Sequence, residues 1–332
     1  MPADVHQHIW PPEFVDLLRA RSTPPRLDGW TLHLAGEPPY AVGPADHDIA
    51  ARTRLARADG LDLALVSLSS PLGIEYLPPE EAGPLLAAFH DGALDLPAPF
   101  GVWASPCLSA PEPDPGAVRR ELARGCAGLQ LPATALLDAA GWARCAPLLD
   151  AAAALDKPLF VHPGAAPPDP AGTPPWWPAL VPYVQQLHSA WFAFRAFGRP
   201  RHPGLRVCFA ALAGLAPLHG ERLVARGGGR DRGRVDRDVF YETSSYGTRA
   251  VDALIRAVGI DVVVSGSDRP YARPLARHHP PRDAPPDSGR EDPRRTAPPD
   301  LVVPGLGGEA AGHALCTANP ARLLGPTRGV RP

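Results

Sequence analysis

Two histidines one residue apart, His6 and His8, stand in the opening segment Asp4-Val5-His6-Gln7-His8. In an extended strand side chains alternate faces, so His6 and His8 share one face while Val5, Gln7 and Ile9 take the other. Two imidazoles side by side suit a metal ion, because each offers a neutral ring nitrogen. Further along, Pro158-Leu-Phe-Val-His162 ends a β-like run on a histidine, and Val262-Val-Val-Ser-Gly-Ser-Asp268 ends one on a carboxylate. Singly, each has an ordinary use as a solvated terminus, a loop residue or a turn. Brought to one place, three imidazoles and one carboxylate make a mononuclear site for a divalent ion, zinc first, with manganese or another divalent ion as alternatives.

The elements that must position these residues alternate regularly. Strand-like runs fall at residues 4–8, 61–69, 100–106, 127–131, 158–162, 205–211, 239–244 and 261–266. Seven of the eight are separated from the next by a predicted helix, and most read as continuous apolar runs, as strands covered on both faces should. The pattern predicts an α/β fold, a (β/α)8 TIM barrel, with an aromatic-rich insertion (163–203) after strand five. A Pro/Arg-rich stretch, 273–308, reads as a mobile loop before a C-terminal helix over 309–324. Residues 1–325 are expected to form one domain, with 326–332 as a tail, and residues 21–47, rich in Pro and Gly, to be irregular. A doubly wound sheet would expect a Gly-rich turn after the first strand, where this chain has His-Gln-His. Barrel sites lie at the C-terminal ends of the strands, which is where strands one, five and eight carry His6 and His8, His162 and Asp268.

Bulk composition narrows the function classes. Over 332 residues, 33 basic and 35 acidic side chains leave a net charge of −2, which gives no electrostatic case for nucleic acid or an anionic membrane. No apolar run reaches the ~18 residues of a membrane span, and the start lacks the pattern of a signal peptide. Five scattered cysteines with no Cys-x-x-Cys pair suit free thiols in a reducing cytoplasm. The expected partner is a small-molecule substrate. Lys157 is the chain's only lysine; flanked by Asp156 and Pro158, it cannot complete a Walker-type phosphate loop.

The ordered set His6-x-His8, Pro158-Leu-Phe-Val-His162-Pro-Gly, His202-Pro-Gly-Leu-Arg-Val-Cys-Phe-Ala, Tyr241-Glu-Thr-Ser-Ser245, Gly266-Ser-Asp268-Arg-Pro and Asn319-Pro-Ala-Arg-Leu-Leu resembles the amidohydrolase-related proteins. These are metal-dependent hydrolases and decarboxylases, in the branch that contains aminocarboxymuconate-semialdehyde decarboxylase. The resemblance implies one metal ion on His6, His8, His162 and Asp268, with Asp268 also the general base. It implies hydrolysis of an ester, lactone or amide as the first reaction class, and non-oxidative decarboxylation of an aromatic or unsaturated acid as the second. One departure stands out. The family ends strand six with Ala-His-x-Gly-Gly, and that histidine activates the metal-bound water; here Ala211 takes its place. His219, expected in the first turn of a helix from Pro217, is the nearest stand-in. Arg222 resembles an arginine that meets substrate carboxylate in the decarboxylases, sometimes across a dimer interface. Trp176 and Trp177 are expected to line the pocket, or to form a homodimer contact. Ala211 also motivates a rival from another class, a barrel that has lost chemistry and serves as a binding or scaffold protein.

Overall fold

The computed structural model describes residues 1–110, 112–168, 172–228, 235–244, 246–272 and 308–325. The tail 326–332 and all but the last residue of the expected loop 273–308 lie outside the described residues. Eight strands make up the barrel: β1 Ala3–Gln7, β2 Leu63–Val66, β3 Phe100–Val102, β4 Leu129–Pro132, β5 Leu159–His162, β6 Val207–Phe209, β7 Val239–Glu242 and β8 Val263–Val264. Strands β1 to β3 form one parallel sheet and β4 to β8 another, each in sequential order. Parallel bridges join the two at both seams: Ala104 with Leu129, and Gln7 with Arg269. At the second seam Val5 N–H donates to Ser265 O at 3.0 Å and Asp268 N–H to His6 O at 2.8 Å, so the end of β8 is laced to β1. The result is the (β/α)8 barrel that the alternation predicts.

Local chemistry explains why the helices start where they do. Asp48, Asp114 and Asp138 each accept an amide N–H from the first turn of the helix that follows, Ile49–Ala58, Pro115–Arg124 and Ala139–Ala154. Inside the barrel Trp103 stacks on Phe160 with ring centroids 5.2 Å apart, and its indole N–H donates to Val5 O at 3.0 Å. The Asn319-Pro motif is a stitch: the Asn319 side chain donates to Ile260 O at 2.8 Å and Val263 O at 2.7 Å, tying the last helix, Asn319–Leu324, to β8.

Three segments differ from expectation. Residues 21–47 are not wholly irregular, because Arg26–Asp28, Thr31–His33 and Tyr40–Ala41 form a small antiparallel sheet. Its hairpin turns on Gly29-Trp30, between the paired Asp28 and Thr31, with Gly29 at φ 59° and buried Leu27 and Leu32 paired across it, a short-range signal that proline and glycine content masks. The aromatic insertion is a broken helix: Trp177–Leu180, then Pro182–Ala193, with a wider turn over Phe194–Gly198. The helical turn expected from Pro217 is present as a 3-10 turn that ends at His219 and runs into the α-helix Gly220–Ala225. Before it, Ala211, Leu212, Ala213, Gly214 and Leu215 all have φ between 45° and 61°, a left-handed turn of which only one residue is glycine.

Candidate metal centre

Side chains from β1, β5 and the segment after β8 meet at one point at the C-terminal mouth. One ligand atom from each of His6, His8, His162 and Asp268 lies within 4.8 Å of every other. His6 Nε2 is 3.1 Å from His8 Nε2. Asp268 Oδ1 is 3.2 Å from His8 Nε2 and 3.6 Å from His6 Nε2. The three imidazoles are buried, whereas Asp268 keeps 21% of its side chain exposed, so the cluster opens on the aspartate side. Asp268 adopts φ 54°, a left-handed conformation that turns the chain sharply off β8. Tyr271, three residues on, stands edge-on to His8 with centroids 5.4 Å apart.

Each imidazole is oriented from behind. His8 Nδ1 is 2.9 Å from Ser67 O, and His162 Nδ1 is 2.8 Å from Pro163 O. A carbonyl only accepts, so both Nδ1 atoms carry the proton and both Nε2 lone pairs face the centre. His6 Nδ1 lies 3.1 Å from Glu242 Oε2, which fixes the same tautomer. The Nε2 atoms of His6 and His8, 3.1 Å apart, thus share one position that a cation, or a single proton in its place, can occupy. The donor set fits a divalent ion.

Glu242 is the member of the site that sequence reading missed. It is wholly buried at the end of β7. Its Oε2 accepts from Ser244 Oγ at 2.6 Å and Ala211 N–H at 3.2 Å, and its Oε1 from Ser244 N–H. The available signal was a lone carboxylate within the apolar run Val239-Phe-Tyr-Glu242, which no buried strand carries without a partner.

The charges follow from this arrangement. Loss of water works against charging His6, but the Glu242 carboxylate, with Asp268 and Asp4, outweighs it and raises the His6 pKa above the usual value. Burial lowers His8, with the His6 charge adding to it against Asp268, and burial with both neighbouring histidines pushes His162 well down. Desolvation would raise Asp268, yet its contact with His8 and the charges of the three histidines hold it below the ordinary carboxylate value.

The remaining residues singled out in the sequence lie elsewhere. His219 is exposed, closes the 3-10 turn that leads into the helix Gly220–Ala225, and sets its ring 5.2 Å from that of His188. Arg222 is exposed on that helix and makes no ion pair among the described residues. Trp176 is 55% exposed and packs against Trp177 at 6.0 Å. Trp177 lines a cleft with Gly36, Ala166, Pro167 and Val181, beside the loop that follows His162. None of these four joins the His/Asp cluster.

No protein-family model matches the chain, and a comparison with curated proteins finds no match. Solved structures do match over nearly its whole length, and they define its fold class. IDCase from Metarhizium anisopliae superposes with a TM-score of 0.72 at 18% identity, covering 98% of this chain and 97% of that one. The 4-oxalomesaconate hydratase LigJ from Rhodopseudomonas palustris gives 0.65 at 15% identity, covering 98% and 95%. The 5-carboxyvanillate decarboxylase LigW2 from Novosphingobium aromaticivorans, with bound manganese and 3-methoxy-4-hydroxy-5-nitrobenzoic acid, gives 0.58 at 17% identity, covering 82% and 88%. At such identities the likeness shows a shared fold, in agreement with the barrel that the sequence resemblance implies.

Proposed function

We propose that the protein is a metal-dependent lyase that removes CO2 from an aromatic or unsaturated carboxylic acid without oxidation. The observation that carries this reading is the convergence of three oriented Nε2 atoms and a partly exposed carboxylate at the barrel mouth. His6, His8, His162 and Asp268 would hold one divalent ion, zinc in the first instance and manganese in the second. Once bound, the ion would supply positive charge that polarises an oxygen of the substrate. Glu242, Ser67 O and Pro163 O keep the imidazoles turned toward the centre, and Tyr271 packs edge-on against His8. Asp268 carries the proton: it takes one from a substrate hydroxyl and returns it to the carbon bearing the carboxylate. The C–C bond then breaks, its electron pair returns to the ring, CO2 leaves, and the remaining oxyanion takes a proton from water.

Hydrolysis of an ester, lactone or amide, the first expectation from sequence, ranks second. It calls for a further base beside the cluster, and the position expected to supply one is a methyl group, Ala211. The decarboxylase among the similar structures adds support for the lyase reading. Arg222 would act on a substrate carboxylate only from a second copy in a homodimer, and Trp177 from the cleft beside β5.

Metal content by mass spectrometry, on protein purified without chelator, is the first test, beside a His6→Ala/His8→Ala double variant. About one equivalent of zinc or manganese, lost in the variant, is expected. CO2 release is then assayed against hydroxybenzoic and unsaturated acids, with Asp268→Asn as the control. A wild type that takes up no metal even after incubation with zinc removes the enzyme reading and favours the scaffold.

A further inference from the structure

β1 does not run evenly beside β2. Asp4 pairs with Ala64 and Gln7 with Val66, so β1 takes three steps where β2 takes two. The extra residue makes a β-bulge, the device by which a strand bends and re-aims its side chains beside a site. It falls on the segment that carries His6, and the His6 N–H there donates to Asp4 Oδ1 at 3.1 Å. The same oxygen accepts Ser267 N–H at 3.0 Å, next to Asp268 in the chain. One buried carboxylate thus holds the backbone beside two of the four cluster residues, one from each end of the sequence.

Behind Asp4 the hydrogen bonds have a fixed direction. Arg52, buried on the helix Ile49–Ala58, donates to His8 O at 2.8 Å, to Asp46 O at 2.7 Å and to Gln7 Oε1 at 2.6 Å. A guanidinium only donates, so the oxygen of the buried Gln7 amide faces Arg52 and its NH2 faces Asp4. Gln7 Nε2 accordingly donates to Asp4 Oδ2 at 2.8 Å. Asp4 therefore accepts on both oxygens, from Gln7 on one and from two backbone N–H groups on the other.

We propose that Arg52, Gln7 and Asp4 are positioning residues of the metal centre: their one-way chain of hydrogen bonds holds the bulge and sets His6 and His8 against Asp268. This role rests on the metal-dependent reading of the site. It requires an acceptor at both oxygens of residue 4. A carboxamide there would turn its NH2 either on the Gln7 NH2 or on the two backbone N–H groups. Turning Gln7 over in response would set its own NH2 against Arg52. A carboxylate at position 7 removes the conflict, because it accepts from that carboxamide and from Arg52 at once.

Asp4→Asn and the double variant Asp4→Asn/Gln7→Glu, which restores the total charge, test this on the full chain with cobalt(II) as the probe. Competition with a chelator reads the affinity, and the visible absorption of the bound cobalt reads the arrangement of its ligands. Asp4→Asn is expected to bind about 10- to 100-fold more weakly, the usual effect of losing a group that orients metal ligands, and to change the cobalt spectrum. The double variant should regain the wild-type spectrum and most of the lost affinity. Should Asp4→Asn fail to fold, the double variant decides alone, and a folded chain with the wild-type spectrum supports the proposal. Wild-type affinity and spectrum in Asp4→Asn, with only the melting temperature lowered, would assign the three residues to the fold alone and overturn it. A double variant that recovers neither affinity nor spectrum would overturn it too. A wild type that takes up no cobalt overturns the metal-dependent reading itself, and the positioning role with it.

Discussion

Glu242 Oε2 lies 3.1 Å from Nδ1 of His6, across 236 residues of sequence. The carboxylate takes every hydrogen bond offered at this point, from His6, from Ser244 N–H and Oγ, and from Ala211 N–H. A carboxamide of the same shape would turn an NH2 against one of these donors. Glu242→Gln is therefore expected to lower metal affinity by about 10- to 100-fold, the usual effect of removing the partner that orients a ligating histidine. Competition with a coloured zinc chelator measures it. Affinity equal to wild type would remove Glu242 from the site.

Gly266 makes the same relationship testable from the other side. A Cβ at this position would fall 2.1 Å from Glu242 Oε1, and Glu242 is buried with no room to retreat. Gly266→Ala should displace the carboxylate and weaken metal binding in parallel with Glu242→Gln. The double variant should be little worse than either single change, because both act through one contact. Additive losses would show that Gly266 acts independently of Glu242.

What could be read from sequence follows from the range of the interactions. His6 and His8 were legible because two residues of one strand share a face by geometry alone. His162 and Asp268 were legible because each closes an apolar run, so the barrel's own rule puts them at one mouth. Glu242 escaped because its purpose lies in a contact with a residue at the far end of the chain. The small sheet beside α-helix Pro12–Ala20 escaped because Pro and Gly content outweighed the Gly29 hairpin signal. His219 lies in the helical turn expected from Pro217, but the left-handed path of residues 211–215 just before it was not foreseen. That left-handed path is not written in a segment with a single glycine.

The left-handed turn itself carries a prediction. A non-glycine residue in this region costs roughly 1–2 kcal/mol, and Ala211, Leu212, Ala213 and Leu215 all occupy it. Ala213→Gly removes one methyl group and this penalty, and should stabilise the fold by about 1 kcal/mol, the reverse of its effect in an ordinary helix. Gly214→Ala should destabilise it by more, since its Cβ would meet Val184 O at 2.5 Å. Urea denaturation midpoints report both signs. A loss of stability in Ala213→Gly would mean that the methyl group's packing outweighs the backbone penalty.

Two buried histidines outside the cluster, His90 and His47, contribute to the acid response of the fold. His90 Nε2 accepts Ser105 N–H at 3.0 Å, and His47 Nδ1 accepts Trp10 N–H at 3.1 Å, so neither acceptor nitrogen can hold a proton in the native state. Burial, with the nearby Arg124, lowers His90 to about 4; burial, with Arg52 and His8, lowers His47 to about 3. In the unfolded chain both return to about 6.5. Below that pH the unfolded state takes up a proton at each site that the folded state refuses, so stability is full above about 6.5. It then falls as the pH drops toward 4 and 3, by up to about 1.4 kcal/mol per pH unit for each histidine. Urea midpoints should therefore decline between pH 7 and pH 5. His90→Gln, whose amide oxygen can still accept Ser105 N–H, should decline less steeply by close to one proton. A variant slope equal to that of wild type would show that His90 takes no part in the acid response.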